Sequence, residues 1–167
     1  MSCESKNNPG QMRQVAFAYL TKYRPTSGKL RQYLLRKNYQ LVEINTLINE
    51  LCELKYLDDY AAAERILHLC RHSGAYGKIG LQALLLRKGV EYNCAQVALR
   101  DFFQNVDERS LLEDYLSSTS SDLLRTIKSD TCDYAAKQKI LRILLRRATA
   151  HGFSVSTLRN YLRDYMS

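Results

Sequence analysis

Apolar residues along this chain recur at helical spacing. Leu41, Ile44, Leu47, Ile48, Leu51 and Leu54 fall on one face at the i, i+3, i+4, i+7 rhythm, and Ile140, Leu141, Leu144, Leu145 and Ala148 repeat it. Sustained strand-like alternation is hard to find, so the pattern predicts an all-α protein. Turn chemistry marks the boundaries: Arg24-Pro25-Thr26-Ser27-Gly28, Asp58-Asp59, His72-Ser73-Gly74-Ala75-Tyr76-Gly77 and the polar run Ser117–Ser121. Helices are expected near 10–23, 27–38, 40–55, 58–73, 78–89, 92–105, 107–128 (broken near the serine run), 132–150 and 154–166.

The pattern also repeats. Leu34-Leu35-Arg36-Lys37-Asn38-Tyr39, Leu85-Leu86-Arg87-Lys88-Gly89-Val90 and Leu144-Leu145-Arg146-Arg147 each close an amphipathic stretch ahead of another. Arg36, Arg87 and Arg146 stand fifty-one and fifty-nine residues apart, and a unit of that length holds about three helices. At the start of each unit's third helix an apolar residue stands five positions before another: Tyr39 with Ile44, Val90 with Ala95, Phe153 with Leu158. This is the spacing of a hydrophobic staple, which sets the angle at which the chain joins a helix, and Glu43 holds the capping-box position if Gln40 is the cap. In the third unit the staple lies four residues later after the basic pair, about one helical turn. The expectation is three tandem three-helix repeats in an elongated, curved arrangement: a flexible N-terminus over 1–11, then 12–57, 58–106 and 107–167.

Composition narrows the class. A chain of 167 residues with 46% hydrophobic and 25% charged residues, and only 7 Gly and 2 Pro, is that of an ordered globular protein. Twenty-five Lys and Arg against seventeen Asp and Glu give a net charge of +8, which makes polyanions the leading class of partner. No apolar run approaches the ~18 residues of a membrane span, and Met1–Asn8 lacks the apolar core of a secretory signal, so a cytoplasmic protein without membrane contact is expected. The five cysteines (3, 52, 70, 94, 132), widely spread and never paired as Cys-x-x-Cys, read as reduced, mostly buried thiols.

The charge is unevenly placed. Second-helix stretches are basic and free of acids, with Lys29, Arg31, Arg36 and Lys37, then Lys78, Arg87 and Lys88, then Lys137, Lys139, Arg142, Arg146 and Arg147. Acids gather in the connecting helices, as Glu43, Glu50, Glu53, Asp58 and Asp59 and as Asp101, Asp107, Glu108, Glu113 and Asp114. Cations at a helix C-terminus complement the helix dipole, which accounts for the terminal pairs but not for Lys29, Arg31, Lys137 and Lys139 nearer the helix starts. A basic stripe for nucleic acid or an acidic protein face fits better. Tyr33, Tyr39, Tyr76 and Tyr92 stand near basic residues, where stacking on single-strand bases competes with the commoner core-edge role.

Catalytic constellations are weak. His68 and His72 share a helical face and can grip a metal between them, but Cys70 points elsewhere and no second ligand pair follows. Asp58-Asp59, Asp107-Glu108 and Glu113-Asp114 are sequence neighbours, which do not face each other on a helix and suit helix starts. Gly74-Ala75-Tyr76-Gly77-Lys78-Ile79-Gly80 lacks the spacing and the hydroxyl of a phosphate-cradling loop and reads as a helix–helix turn. No enzyme activity, metal or cofactor is expected.

Leu54-Lys55-Tyr56-Leu57-Asp58-Asp59, followed by Arg71, Gly77, Ile79, Leu84 or Leu85 and Arg87-Lys88-Gly89-Val90, resembles the signature of the RecX family, bacterial regulators of the RecA recombinase. His151-Gly152-Phe153-Ser154 with Leu158 is similar to the family's closing motif, and the resemblance runs over residues 12–165. Lys55 stands where the family usually carries glycine, Ala62-Ala63 where it commonly carries Arg-Phe, and Asn38 where a glycine ends the first basic helix; Asn is the next best residue for a left-handed cap. The resemblance implies three three-helix repeats and a protein that binds RecA filaments on single-stranded DNA; a monomer is expected, with duplex DNA a second candidate ligand. It also implies suppression of ATPase, co-protease and strand exchange, by blocking the filament groove or capping its end. The expected RecA- and DNA-binding residues are Arg36, Lys37, Arg87, Lys88, Arg146 and Arg147, then Arg31, Lys78 and Arg142, with Tyr56, Asp58 and Asp59 shaping the first module junction. A helix-turn-helix-like transcriptional regulator and a helical scaffold without a nucleic-acid role are the alternatives.

Overall fold

The structure, a computed structural model, describes residues 9–73, 76–129 and 133–163. Among them the chain forms ten α-helices and no strand: α1 (Pro9–Tyr23), α2 (Ser27–Arg36), α3 (Leu41–Glu53), α4 (Asp59–Ser73), α5 (Lys78–Arg87), α6 (Tyr92–Asn105), α7 (Glu108–Thr119), α8 (Ser121–Ile127), α9 (Tyr134–Ala150) and α10 (Val155–Arg163). The all-α expectation holds. The extra helix comes from the serine run, where the Ser118 and Thr119 hydroxyls donate to the Tyr115 carbonyl at 3.0 and 2.6 Å. Such local bonds compete with the helical ladder, and the chain breaks at Ser120, φ −145°, between α7 and α8.

The second helices end in the same turn. Asn38, Gly89 and Gly152 adopt left-handed backbone, at φ 64°, 82° and 76°. Each is followed by an amide that closes back on the helix: Tyr39 N–H on the Leu34 carbonyl at 3.3 Å, Val90 on Leu85 at 3.1 Å, Phe153 on Ala148 at 3.1 Å. Tyr39, Val90 and Phe153 are buried, as are their staple partners Ile44, Ala95 and Leu158. One apolar residue thus terminates one helix and staples the next. The capping box does not form, since the Gln40 side chain makes no capping bond. Glu91 and Ser154 do cap, with their side chains accepting the Cys94 and Thr157 amides, each at 3.0 Å.

The chain divides into two compact units. One comprises the described residues up to Ala63 together with Leu85–Ala95, the other Glu64–Leu84 and everything described from Gln96 onward. In the first, Met12, Ala16 and Leu20 of α1 and Leu30 and Leu34 of α2 bury against Ile44, Leu47, Ile48 and Leu51 of α3. Leu41 and Leu54, expected on that face, are exposed because they lie at the helix's two ends. In the second unit, Leu112, Tyr115 and Leu116 of α7 meet Ile127 of α8, Leu144 and Ala148 of α9 and Leu158 and Tyr161 of α10. Of the predicted face on α9, Ile140, Leu144 and Ala148 are buried and Leu141 and Leu145 half-buried. Among the described residues Cys52, Cys70 and Cys94 form no disulfide and are half-buried rather than buried, and Cys3 and Cys132 lie outside the described residues. Burial pushes the Cys52 and Cys94 thiols up, with Asp59 adding to both, so they stay protonated at neutral pH.

Candidate nucleic-acid and partner interface

Within each unit, a helix start meets a helix end. In the first, the Thr26 hydroxyl donates to the Lys88 carbonyl at 2.8 Å and Gly28 N–H to the Gly89 carbonyl at 2.9 Å. The second does the same: Gly77 N–H donates to the His151 carbonyl and Ile79 N–H to that of Gly152, both at 3.1 Å. Orphan amides of α2 and α5 thus satisfy orphan carbonyls at the ends of α5 and α9, and opposite dipole ends face each other. The approach tolerates no side chain, since a Cβ on Gly28 would lie 2.6 Å from the Gly89 carbonyl oxygen and one on Gly77 2.4 Å from the Phe153 Cα.

A carboxylate locks each junction. Asp59, only 6% exposed, accepts the Ser27 amide at 2.8 Å, the Ser27 hydroxyl at 2.6 Å and the Glu91 amide at 2.6 Å. It ties the starts of α2, α4 and α6 together, so of the expected junction residues it is internal rather than a surface group. Glu108, the first residue of α7, accepts the Lys78 amide at 2.9 Å and the Thr157 hydroxyl at 2.7 Å. Sequence reasoning missed that role; the available signal was an acid opening a connecting helix at the spacing of Asp59. Asp58 caps α4 through the Ala61 amide at 2.9 Å, and exposed Tyr56 meets Phe17 edge-on at 5.1 Å.

Of the nine expected basic contact residues, Arg36, Lys37, Lys78, Arg87, Lys88, Arg142, Arg146 and Arg147 are exposed and Arg31 is half-buried. The first unit holds Arg31, Arg36, Lys37, Arg87 and Lys88, the second Lys78, Arg142, Arg146 and Arg147. Arg36, Lys37, Arg87, Lys88, Arg142 and Arg146 form no ion pair among the described residues. Two others are engaged internally: Arg31 Nε donates to Asn45 Oδ1 at 3.0 Å, and Arg147 Nη1 to the Ser120 hydroxyl at 3.1 Å, bracing the break between α7 and α8. Lys78 lies over the Phe103 ring, 5.7 Å from its centroid. The third basic pair is also out of register, because α9 runs on to Ala150; the positions matching Arg36-Lys37 and Arg87-Lys88 are Ala150 and His151.

Other candidates fall into place. Tyr39 is buried, Tyr33 and Tyr76 are half-buried, and Tyr92 is exposed rather than at a core edge. His68 and His72 are exposed with ring centroids 5.0 Å apart, and no group of three metal-ligating side chains gathers among the described residues. Nor, among those residues, is any helix long and apolar enough to cross a membrane.

Fold and surface together define an all-helical protein with exposed basic residues at its helix ends. The particular likeness is to RecX. The "Regulatory protein RecX" of Streptococcus mutans serotype c (strain ATCC 700610 / UA159) is 30% identical over 152 residues, 91% of this chain. The chain spans 54% of that relative's length, about half. The crystal structure of RecX from Lactobacillus salivarius superposes with a TM-score of 0.71 at 18% identity, covering 95% of this chain and 96% of that one. No family model matches. The resemblance to RecX seen in the residues therefore holds in both sequence and fold.

Proposed function

We propose that this chain is a RecX-like regulator that binds RecA filaments on single-stranded DNA and lowers their ATPase, strand-exchange and co-protease activities, acting in the cytoplasm as a monomer without catalysis of its own. The observation that carries the reading is the set of exposed cations at helix ends, Arg36, Lys37, Arg87 and Lys88 foremost, with no carboxylate partner among the described residues. Desolvating an unpaired guanidinium or ammonium against a phosphate or carboxylate costs the protein no ion pair of its own. Several such clusters on one chain gain affinity by effective concentration even where each contact is weak, which suits a periodic target such as a filament. Occupying the groove would exclude duplex DNA; capping the growing end would let disassembly win.

The test is ATP turnover by RecA on single-stranded DNA with the protein titrated substoichiometrically, beside DNA-only binding. Inhibition well below one molecule per recombinase is expected. Arg87→Glu with Lys88→Glu should weaken it while helical circular dichroism is retained. Inhibition that merely tracks DNA coating, or a double variant that inhibits unchanged, would overturn the reading, and sequence-specific duplex binding without inhibition would favour a transcriptional regulator.

A further inference from the structure

A cleft between α1 and α2 combines aromatic faces with unopposed positive charge. It encloses about 650 Å³, within the ~300–1,000 Å³ usual for small-ligand sites, and is walled chiefly by Tyr19, Tyr23, Tyr33, Lys22, Arg36 and Lys37, with no carboxylate in its lining. Tyr19 and Tyr33 stack in parallel, 4.0 Å between centroids and 8° between planes, and Tyr23 lies beside Tyr19, 4.9 Å away and tilted 48° out of the stack. Tyr23 is 57% exposed and leaves ring surface open. Lys22 Nζ lies over the Tyr23 ring, 5.0 Å from its centroid, and Lys37 Nζ over that of Tyr33 at 5.7 Å, so each of these rings carries a cation over one face and has only its other face to offer a base.

We propose that this cleft is a subsite for single-stranded nucleic acid, with an unstacked base laid on the other face of Tyr23, beside the tyrosine stack, and the adjoining phosphates held by Lys22, Arg36 and Lys37. A duplex offers no free base face, and an acidic peptide would use the cations while leaving the rings idle; an unpaired strand presents a π-face together with successive phosphates, which suits three cations beside one open ring. The inference deepens the functional reading above, giving its nucleic-acid contact a place and a chemistry.

The probes are a labelled thymidine DNA strand, a uridine RNA strand and a DNA strand of equal length with abasic residues, each titrated with the full chain. Tyr23→Ala should weaken binding of a base-bearing strand about 5- to 100-fold, leave the abasic strand unchanged, and be rescued by Tyr23→Trp. Whichever sugar shows the loss identifies the ligand, and loss on both assigns single strands generally. Lys22→Gln with Lys37→Gln should flatten the salt dependence by about 0.7 in slope per cation. Iodouridine cross-links should map to the peptide holding Tyr19 and Tyr23 or to that holding Tyr33. Equal effects of Tyr23→Ala on base-bearing and abasic strands, or cross-links only elsewhere, would overturn the subsite. RecA inhibition without base dependence would remove this subsite alone, and base dependence without RecA inhibition would remove the regulator reading alone.

Discussion

Five described residues hold positive φ, and their side chains differ in how well they tolerate it. Gly89 and Gly152 adopt it freely and Asn38 at small cost, whereas Arg24 at 43° and Lys55 at 60° carry a Cβ against the following carbonyl. Asn38 was legible because its short amide suits that conformation; Arg24 and Lys55 were not, since nothing in an Arg or Lys side chain announces a left-handed turn. The family's glycine at position 55 now has a reason: Lys55 closes α3 as Gly89 closes α5, with Tyr56 N–H returning to the Leu51 carbonyl at 2.9 Å. Lys55→Gly should therefore stabilise by about 1 kcal/mol, a rise of about 2–4 °C in Tm by calorimetry. Gly152→Ala should do the opposite. A Cβ there would sit 2.0 Å from the backbone nitrogen of Gly80, so loss of more than about 2 kcal/mol is expected in denaturant melts.

At the scale of elements, helices and staples were readable because both are local: periodicity and a five-residue spacing survive without knowledge of the fold. Where α9 stops was not. Its basic pair resembles the tails of α2 and α5, yet Ala148-Thr149-Ala150 extend the helix and only Gly152 ends it. Cap chemistry was half legible, with Glu91 supplying the cap that the Gln40–Glu43 spacing suggested elsewhere. Partial desolvation pushes the Glu91 carboxyl up, but the amides of Cys94, Asn93 and Tyr92 outweigh it and its pKa lies below the ordinary carboxylate value. A depressed folded pKa means the cap stabilises above the unfolded value, about 4.3, and that this contribution fades as pH falls through the lower folded value. Glu91→Gln should accordingly melt below the parent at neutral pH, and the gap should close in melts near pH 3.

Across the whole molecule, the first compact unit is discontinuous in sequence, which no local pattern reveals. Residues up to Ala63 need Leu85–Ala95, because Thr26, Gly28 and Asp59 find their partners at Lys88, Gly89 and Glu91. A fragment ending at residue 63 strands those groups, whereas one ending at residue 95 restores them. The shorter fragment should show a broad, low-temperature loss of helical circular dichroism, and the longer one a sharper and higher transition. The candidate interface was legible in the same uneven way: exposed basic helix ends could be read from position and charge, but the internal engagement of Arg31 and Arg147 depends on side chains 14 and 27 residues away. The Asp59 clamp has a further consequence in time. One carboxylate receives the amides of both Ser27 and Glu91, so neither proton is released to solvent unless that single acceptor lets go. Sixty-four residues apart in sequence, these two amides should show matched protection against deuterium exchange once each is corrected for its intrinsic rate, making them a paired clock for the opening of the unit.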